Sequence, residues 1–355
     1  MSRTVAVIPG EDAAPEAMEP SVALLGRMGL PIRWEFPPVG EAAMRELGDP
    51  FPDAARAVID GADATLFGAT SGASARALFY LRWGKGTYAN LRPLRWSQGF
   101  RSPLADPSGI DLELVRENLE DLYLFAEGEL TDLAPLGLFS LTAGRPVHEL
   151  GDGRFAIKAI TRAGSERVIR FAFETARRRK SAGRAGRVTL GAKSNMLPRT
   201  DGLFRDVGAE IAREYPDIAY ESLLIDDLAH RLTARPSRFD VLVMPNLYGD
   251  ILSDAAAGLV GGLGLAPSGC YGEDYAYFES AHGTAPDIAG RHIINPTATL
   301  LSASMMLDYL GFAAAGAALD RAVRKTYAQG AVLTPDQGGT ATTGRFCEAV
   351  EANLP

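Results

Sequence analysis

The chain has 355 residues, 46% of them hydrophobic, which is enough for two lobes or domains with large cores. A formal net charge of −8 argues against nucleic acid as a partner, because proteins that bind it carry a basic surface. Two cysteines are too few for a disulfide framework and favour a reduced, cytoplasmic protein. We expect no membrane span, since no 18-residue window is apolar and free of charge.

The order of predicted elements indicates the fold class. Short apolar runs predict buried strands, and segments with helical periodicity lie between them. This alternation favours an α/β protein with a mostly parallel sheet and flanking helices. The predicted strands are 4–8, 32–36, 64–67, 188–192, 219–225 and 241–244, and the predicted helices are 14–28, 51–59, 202–215, 226–234, 250–260, 297–310 and 314–328.

Three segments depart from this alternation. A glycine-rich loop follows the strand at 64–67, over residues 68–73. Residues 127–160 mix glycine, proline and short apolar runs, which favours a small β-rich arm or clasp. The basic run at 177–180 is local, and we interpret it as a solvated helix end followed by a loop.

Familiar nucleotide and hydrolase motifs give no support for those functions. The sequence lacks a P-loop, an HExxH zinc motif and a GxSxG nucleophile elbow. Residues 84–89 and 151–156 both match GxGxxA, but neither lies between a clear strand and a helix with an acid some 20 residues on. We therefore reject both as dinucleotide fingerprints.

Two carboxylates four residues apart, Asp250 and Asp254, are the strongest local signal. In a helix they share one face and repel each other, and a divalent cation between them removes the repulsion. The same pair also suits a solvated helix start, because acids are favoured there. The spacing alone leaves both interpretations open.

Three arginines add a second signal. Arg82, Arg92 and Arg116 each follow an apolar residue at or near the end of an apolar stretch. Guanidinium groups bind carboxylates in a bidentate manner, so three that converge suit a di- or tricarboxylate. Each arginine taken singly is a surface ion-pair candidate, but their occurrence with Tyr123 and Lys193 favours a shared site.

Together these residues and several longer blocks resemble the β-decarboxylating hydroxyacid dehydrogenases, which include isocitrate, homoisocitrate, 3-isopropylmalate and tartrate dehydrogenases. The blocks follow the family's order, and the RENLEDLY segment at 116–123 resembles most closely the homoisocitrate and NAD-isocitrate branches. They are ANLRP (89–93), VREN (115–118), KSN (193–195), NLYGDILSD (246–254), GLVGGLGLAPSG (258–269), HGTAPDIAG (282–290), NPTA (295–298) and TPDQGG (334–339).

The resemblance implies a two-domain isocitrate/isopropylmalate dehydrogenase-like fold. We expect a discontinuous cofactor-binding lobe of residues 1–98 with 262–355. Residues 99–261 are expected to form a substrate, metal and dimerisation lobe, with the arm at about 127–160. The active site then lies in the cleft between the lobes of a homodimer.

The resemblance also implies the chemistry. Mg²⁺ or Mn²⁺ is expected to bind Asp250, Asp254 and Asp226 of the partner subunit, and hard oxygen ligands suit these ions. Lys193 of the partner subunit is expected to take the substrate hydroxyl proton, and Tyr123 to protonate the enol carbon after decarboxylation. Arg82, Arg92 and Arg116 are expected to hold the malate carboxylates.

The cofactor is predicted to be NAD. An acid at Asp287 can accept hydrogen bonds from a ribose diol and repels a 2′-phosphate, whereas NADP-using relatives carry lysine and tyrosine where this chain has Asp287 and Ile288. The remaining predicted cofactor contacts are His282, Gly283, Thr284, Ala285, Asn295 and Asn195.

Two departures from the family leave the substrate open. The N-terminal loop usually reads GDGIGPE but is GEDAAPE at 10–16 here. The residues before the first arginine contact the substituent on C3 of the substrate, and Arg76, Phe79 and Ser71 are the predicted contacts here, beside Leu78. Arg76 suits a distal anion, whereas Leu78 and Phe79 suit an apolar group.

Homoisocitrate or isocitrate is therefore the favoured substrate. The alternatives with the same chemistry are 3-isopropylmalate, tartrate and a specialised analogue such as 3-phosphonomethylmalate. Two further hypotheses differ in class. One is an inactive regulatory subunit of the same fold, and the other is a phosphate- or sugar-binding module that keeps only the fold.

Overall fold

One ten-stranded sheet runs through the molecule, and the computed structural model describes residues 2–355. The strands of the described chain are β1 (Arg3–Ile8), β2 (Ile32–Glu35), β3 (Ala64–Phe67), β4 (Ala89–Arg95), β5 (Asp111–Glu117), β6 (Glu127–Glu129), β7 (Phe139–Ser140), β8 (Arg145–Pro146), β9 (Arg154–Ala156), β10 (Arg187–Ala192), β11 (Ala219–Leu224), β12 (Val241–Met244), β13 (Pro267–Tyr271) and β14 (Ala276–Ser280). In space the large sheet has the order β11-β10-β12-β5-β4-β13-β14-β3-β1-β2.

Most of the sheet is parallel, as the alternation of strands and helices predicted. The three antiparallel pairings, β5 with β4, β4 with β13 and β13 with β14, lie together at its centre. The other six pairings are parallel and form the two wings. Parallel wings need helical crossovers, which explains why helices cover both faces.

The helices of residues 2–355 are α1 (Ala14–Arg27), α2 (Glu41–Leu47), α3 (Asp53–Gly61), α4 (Ala75–Phe79), α5 (Arg162–Ser181), α6 (Thr200–Ala212), α7 (Ile225–Ala234), α8 (Asn246–Val260), α9 (Thr297–Tyr309), α10 (Ala313–Gln329) and α11 (Thr343–Glu351). A π-helical turn, Tyr80–Gly84, continues α4. Within the described residues, no helix is long and apolar enough to cross a membrane.

The core lies on both faces of the sheet. In β1, Val5 and Val7 pack with α1, α9, α10 and α11, whereas Ala6 and Ile8 pack with α3 on the other face. The other wing repeats this arrangement with α5 and α6 on one face and α7 and α8 on the other. Successive side chains of a strand point to opposite faces, so such strands are apolar throughout.

The predicted arm consists of small β-structures, as expected. Strands β6 and β9 form one antiparallel pair and β7 and β8 another, joined by short 3₁₀ turns. Its tip is apolar and exposed: Leu141 is 91% exposed, and Leu136 and Phe139 are also open to solvent. The proposed lobe boundaries stay a prediction, because the sheet continues from β4 to β5 across them.

Candidate active site

The two central antiparallel strands bring two of the predicted arginines to one face of the sheet. Arg116 of β5 lies opposite Asn90 of β4, and Arg92 follows two residues later on β4. Residues that are opposite each other, or two apart on a strand, point to the same face. Both guanidinium groups therefore reach the same cleft, and both side chains are almost fully buried.

Helix α8 delivers the two acids to those arginines. It begins directly after β12, whose Met244 pairs with Arg116. A side chain at Gly249 would bring its Cβ to 2.7 Å from the Cβ and Cγ atoms of Arg116. Glycine at this position thus permits α8 to pack closely over the arginine.

Asp250 and Asp254 both form ion pairs with arginine. Asp250 accepts a short hydrogen bond from Arg116, and Asp254 accepts one of 2.8 Å from Arg92. Arg92 also donates to the Ser253 hydroxyl at 2.6 Å. Each arginine lies more than 130 residues before its aspartate in the sequence. These ion pairs therefore stabilise the packing of α8 against the sheet.

The two acids have different electrostatic environments. Burial acts to raise the pKa of Asp250, but the Arg116 charge and the Tyr123 hydroxyl outweigh it, so the pKa lies below its usual value. At Asp254, burial and the like charge of Asp250 outweigh the attraction of Arg92, and the pKa is raised. Two acids with opposed shifts in one cleft are typical of functional sites.

Tyr123 lies in the same cleft. Its hydroxyl donates to Asp250 at 2.5 Å, and the Arg116 guanidinium stands 5.1 Å from the centre of its ring. Burial, with the hydrogen bond to Asp250, raises the pKa of Tyr123, so the hydroxyl keeps its proton. The group can therefore act as a proton donor.

Arg82 approaches from the π-helical turn. Its Nε donates to the Tyr277 hydroxyl at 3.1 Å, and Glu279 lies 3.8 Å from its guanidinium. Arg82, Arg92, Arg116, Tyr123 and Asp250 line one cavity of about 220 Å³. The remaining lining residues are Ala69, Thr70, Leu78, Glu279, Ser280, Ala281, His282 and Gly283.

The predicted base and third metal ligand lie elsewhere on the same chain. Lys193 donates to Asp226 at 2.6 Å, on a surface that also includes the opposite side of α8. Ile251 of that surface is 58% exposed. Within residues 2–355 of one chain, no three potential metal ligands cluster, so Asp250 and Asp254 need an external partner to complete a three-acid site.

The acids fit a hard divalent cation. Asp250 and Asp254 supply carboxylate oxygens from adjacent turns, and both remain partly exposed beside the cavity. Arg92 and Arg116 attract both carboxylates, and this attraction opposes the repulsion between them. Roles for these residues in metal binding remain proposals.

The residues predicted to contact the C3 substituent lie in different places in the structure. Leu78 lines the cavity, whereas Arg76 is exposed and pairs with Asp49 at 2.6 Å. Phe79 packs against Trp83 and Phe125, with ring centres 5.3 and 5.5 Å apart. Ser71 lies outside the cavity, where it donates to Glu11.

The predicted cofactor loop lies beside the N-terminal loop. The Ala13 amide donates to the Thr284 carbonyl at 3.0 Å, and Ile288 packs with Ala13. Asp287 is exposed on a 3₁₀ turn, and Ala285 adopts a left-handed φ of 51°. His282 and Gly283 line the arginine cavity, so this loop connects it to the N-terminal segment.

Two other residues predicted to contact the cofactor lie outside the HGTAPDIAG loop. The Asn295 side chain donates to Tyr327 and Asp336 and accepts from the Thr297 amide at the start of α9, so it is occupied within the protein. Asn195 is exposed after β10, beyond Lys193. Their cofactor roles stay predictions.

The altered N-terminal loop is held by an acid. Glu11 accepts backbone hydrogen bonds from Ser71, Gly72 and Ser74, at 2.5 to 2.9 Å. These bonds outweigh the effect of burial and lower the pKa of Glu11. Asp12, at a position where the family pattern has glycine, has a left-handed φ of 53°. The loop thus keeps a glycine-like backbone shape without the glycine.

Sequence reasoning missed several residues around the cavity. Glu279 and Tyr277 of β14 contact Arg82 from a strand that was not predicted from the sequence. The acid three residues before the HGTAPDIAG block was the available signal, because it follows the apolar run at 276–278 and a charge in such a run needs a partner. Phe125, two residues after Tyr123, was also missed, and its exposed aromatic side chain gave no periodic signal.

Comparison with known proteins identifies the family. Residues 4–350 match the family model described as isocitrate/isopropylmalate dehydrogenase. The chain is 40% identical to a 3-isopropylmalate dehydrogenase from Archaeoglobus fulgidus, over 99% of both chains. It is 39% identical to an isocitrate/homoisocitrate dehydrogenase from Thermus thermophilus, over 99% of this chain and 98% of that one.

A solved structure agrees. The crystal structure of an isocitrate dehydrogenase from Methylococcus capsulatus superposes with a TM-score of 0.86, at 36% identity and 99% coverage of both chains. The chain therefore belongs to the isocitrate/isopropylmalate dehydrogenase family, and it is a decarboxylating dehydrogenase of that family.

Proposed function

We propose that this enzyme carries out NAD-dependent oxidative decarboxylation of a 3-substituted malate whose substituent is uncharged, such as 3-isopropylmalate. The observation that carries the proposal is the cavity in which Arg82, Arg92 and Arg116 converge beside Leu78. Three guanidinium groups suit the malate carboxylates, and an apolar side chain suits the substituent.

The uncharged substituent follows from the position of Arg76. This arginine was the sequence's candidate for a distal carboxylate, but it is tied to Asp49 outside the cavity. Leu78 takes the place beside the arginine cluster. The sequence favoured homoisocitrate or isocitrate, and the geometry instead supports the 3-isopropylmalate alternative, which is the substrate in the name of the Archaeoglobus relative.

Each cavity residue has a role in this proposal. The arginines bind and orient the two carboxylates of the malate core, and the low-dielectric cleft strengthens those contacts. Tyr123, whose raised pKa keeps it protonated, delivers a proton to the carbon that loses CO₂. Lys193 of the partner subunit accepts the proton of the substrate hydroxyl.

A divalent cation, Mg²⁺ or Mn²⁺, is the proposed resident metal. Asp250 and Asp254 would hold it together with Asp226 of the partner subunit. When bound, such an ion polarises the substrate hydroxyl and carbonyl oxygens as a Lewis acid. Ion pairs from Arg92 and Arg116 keep the two acids in place for it.

NAD rather than NADP is the proposed cofactor. Asp287 is exposed at the tip of the loop that follows His282, where its charge would repel a 2′-phosphate. Glu11 and Asp12 add negative charge in the adjoining N-terminal loop. Both features disfavour an extra phosphate on the cofactor.

A homodimer that shares its active sites is the proposed assembly. The exposed apolar tip of the arm and the exposed Ile251 beside Lys193 give this chain a surface suited to a second copy. Burial of this surface would bring Lys193 and Asp226 to the partner's Asp250 and Asp254. The alternative of an inactive subunit has less support, because Tyr123, Lys193 and the acids are all present.

A substrate panel tests the proposal. The purified enzyme is incubated with Mn²⁺, NAD⁺ or NADP⁺, and 3-isopropylmalate, isocitrate, homoisocitrate, tartrate or malate, and absorbance at the NADH band is followed. We expect the highest kcat/KM with 3-isopropylmalate and NAD⁺, and loss of turnover with a chelator. A higher kcat/KM with isocitrate or homoisocitrate would overturn the uncharged substituent, and turnover of none would overturn the enzyme assignment.

A further inference from the structure

The loop predicted to contact the cofactor is tied at its end to the first turn of α1. The two carboxylate oxygens of Glu16 accept hydrogen bonds from the backbone amides of Gly290 and His292. Glu16 lies where acids favour a helix N-terminus, and its side chain is only 9% exposed. Bonds from two amides to one carboxylate are charge-assisted and therefore strong. We call residues 284–292 the clamped loop.

The same part of α1 also holds the start of the clamped loop. The Ala13 amide, directly before the helix, donates to the Thr284 carbonyl at 3.0 Å. Ala13 and Ala17 are buried, and Ala285 and Ile288 pack against the small apolar cluster that they form. Both ends of the loop are therefore fixed to the start of one helix.

The backbone of the clamped loop needs this support. Ala285 and His292 have φ values of 51° and 52°, in the left-handed region that residues other than glycine seldom adopt. Such conformations cost free energy and persist where surrounding contacts hold them. At His292 the amide is held by Glu16, and the carbonyl accepts a hydrogen bond of 2.9 Å from the Thr343 amide of α11.

Apolar packing contributes little at the end of the loop. Asp287, Ala289, Gly290 and Arg291 are all exposed to solvent. A segment with few buried contacts opens locally when its hydrogen bonds are lost. Removal of the two bonds to Glu16 is therefore expected to free this end of the loop while the rest of α1 stays packed.

We propose that Glu16 is a positioning residue for the cofactor, which holds the clamped loop in the conformation that binds NAD. This inference rests on the proposed function, which assigns cofactor binding to this loop and selection against NADP to Asp287. Glu16 does not line the arginine cavity, so it acts through the loop and not on the substrate. If the binding conformation becomes a minor form, the apparent Kd rises by the inverse of its population.

Calorimetric titration with NAD⁺ tests the inference in Glu16→Gln and Glu16→Ala. Glutamine keeps the shape of the side chain but has one acceptor oxygen, and alanine has none. We expect the Kd for NAD⁺ to rise about tenfold in Glu16→Gln and further in Glu16→Ala. With NAD⁺ in excess and Mn²⁺ present, kcat and the KM for 3-isopropylmalate should stay within about twofold of wild type.

Limited digestion with trypsin gives a second measurement that does not depend on turnover. Arg291 is exposed, and the peptide bond that trypsin cleaves after it contains the His292 amide that Glu16 binds. We expect faster cleavage of this bond in both Glu16 variants, and slower cleavage when NAD⁺ is bound. Mass spectrometry of the fragments assigns the cleavage to this bond.

Glu19→Gln is the matched control. Glu19 is an exposed acid on the same helix, so the substitution makes the same change of charge without touching the loop. It is expected to keep the wild-type Kd for NAD⁺ and the wild-type cleavage rate. Melting temperatures show whether each variant folds. A lower melting temperature in the Glu16 variants with an unchanged Kd for NAD⁺ would mean a purely structural role and overturns the inference.

The possible results separate this inference from the proposed function. Faster cleavage after Arg291 with an unchanged Kd for NAD⁺ shows that the loop does not govern cofactor binding, and it overturns the inference alone. An equal rise in the KM for 3-isopropylmalate also overturns it, since the effect would then extend beyond the cofactor. A wild-type enzyme that neither binds NAD⁺ nor reduces it with any 3-substituted malate overturns the proposed function itself.

Discussion

Both the position and the protonation state of Tyr123 fit the role of a proton donor. It shares a hydrogen bond with Asp250 and a cation–π contact with Arg116, and its raised pKa keeps the phenol neutral. A neutral phenol that points into an arginine-lined cavity can donate a proton but is a poor base. Removal of the hydroxyl alone therefore separates its chemical role from its packing.

The Tyr123→Phe variant is expected to lower kcat by about 10² to 10³ with a small change in KM, because positioned general acids contribute about that much. Its ring still packs against Arg116, so the melting temperature should change little. The measurement is NADH formation with 3-isopropylmalate, and Tyr80→Phe is the control. Tyr80 also donates to an aspartate, Asp60 at 2.6 Å, but lies outside the cavity. Equal losses in both variants would contradict a catalytic role for Tyr123.

Glu117, the residue after Arg116, governs a separate pH effect. Burial raises its pKa to about 7, although the Leu119 and Glu120 amides donate to its carboxylate. Between its ordinary value of 4.5 and 7, the folded chain binds this proton and the unfolded chain does not. The stability it contributes is thus complete below pH 4.5 and is lost as pH rises toward 7.

For Glu117→Gln we expect the free energy of unfolding, relative to wild type, to increase between pH 5 and 7.5 by on the order of 1–3 kcal/mol. The glutamine oxygen can still accept an amide hydrogen bond, and no charge needs to be buried. Urea unfolding at a series of pH values gives the difference. A constant difference across that range would show that Glu117 titrates normally in the folded chain.

Among the elements, α8 decides the geometry of the cleft. One side presents Asp250 and Asp254 to Arg116 and Arg92, and another presents Tyr248 and Ile251 beside Lys193. The helix thus contributes to two surfaces at once. Gly249 lets α8 lie close to β5, because a Cβ at this position would meet Arg116.

Gly249→Ala is expected to reduce kcat/KM by at least about tenfold and to lower stability by about 1–3 kcal/mol, as overpacking does. The added Cβ lies within contact distance of Arg116 backbone and side-chain atoms and forces α8 outward. Gly258→Ala is the matched control on the same helix, because nothing lies within 4 Å of its added Cβ. That control is expected to stabilise by about 0.5–1 kcal/mol, with unchanged kinetics. Similar kinetics for both variants would argue against close packing at Arg116.

The sequence predicted the wings of the fold better than its centre. Strand β12 was predicted with its observed bounds, and β3 likewise, because both are short runs without a charged residue and, apart from Thr65, are apolar. The predicted start of α8 was Asp250, four residues later than its observed start at Asn246. The NLYGDILSD block runs across the helix start, so the boundary after Pro245 was not recognised. Helix α5 was not predicted, because only its basic end at 177–180 was interpreted as helical.

The central strands were missed for a physical reason. Strand β4 contains Arg92 and Pro93, and β5 contains Arg116 and Glu117, which break the apolar run expected of a buried strand. The two arginines are buried because ion-pair partners arrive from α8, far along the chain, and Glu117 is buried with the Leu119 and Glu120 amides as its donors. A single sequence does not show that pairing. The same long-range contacts define the cavity; its arginines were predicted from their positions at the ends of apolar stretches and from the family resemblance, whereas its neighbours Tyr277 and Glu279 were not predicted.

At the scale of the whole molecule, the residues expected to form one active site lie on two separate surfaces of the chain. Tyr123 and Asp250 line the arginine cavity and Asp254 pairs with Arg92 beside it, whereas Lys193 and Asp226 lie on an exposed apolar surface of the same chain. A second copy related by twofold symmetry would place each half opposite its complement. The proposed dimer is then required for chemistry and not only for stability.

Subunit complementation tests this arrangement. We expect Lys193→Ala and Tyr123→Phe each to be nearly inactive, and their 1:1 mixture is unfolded and refolded together. If the site is shared, half of the dimers are mixed and each mixed dimer has one intact site, so activity should return to about a quarter of wild type. The control mixture, Lys193→Ala with Asp226→Asn, alters the same half of the site and should stay inactive. Recovery in neither mixture would place Lys193 in the active site of its own chain, or outside the site altogether.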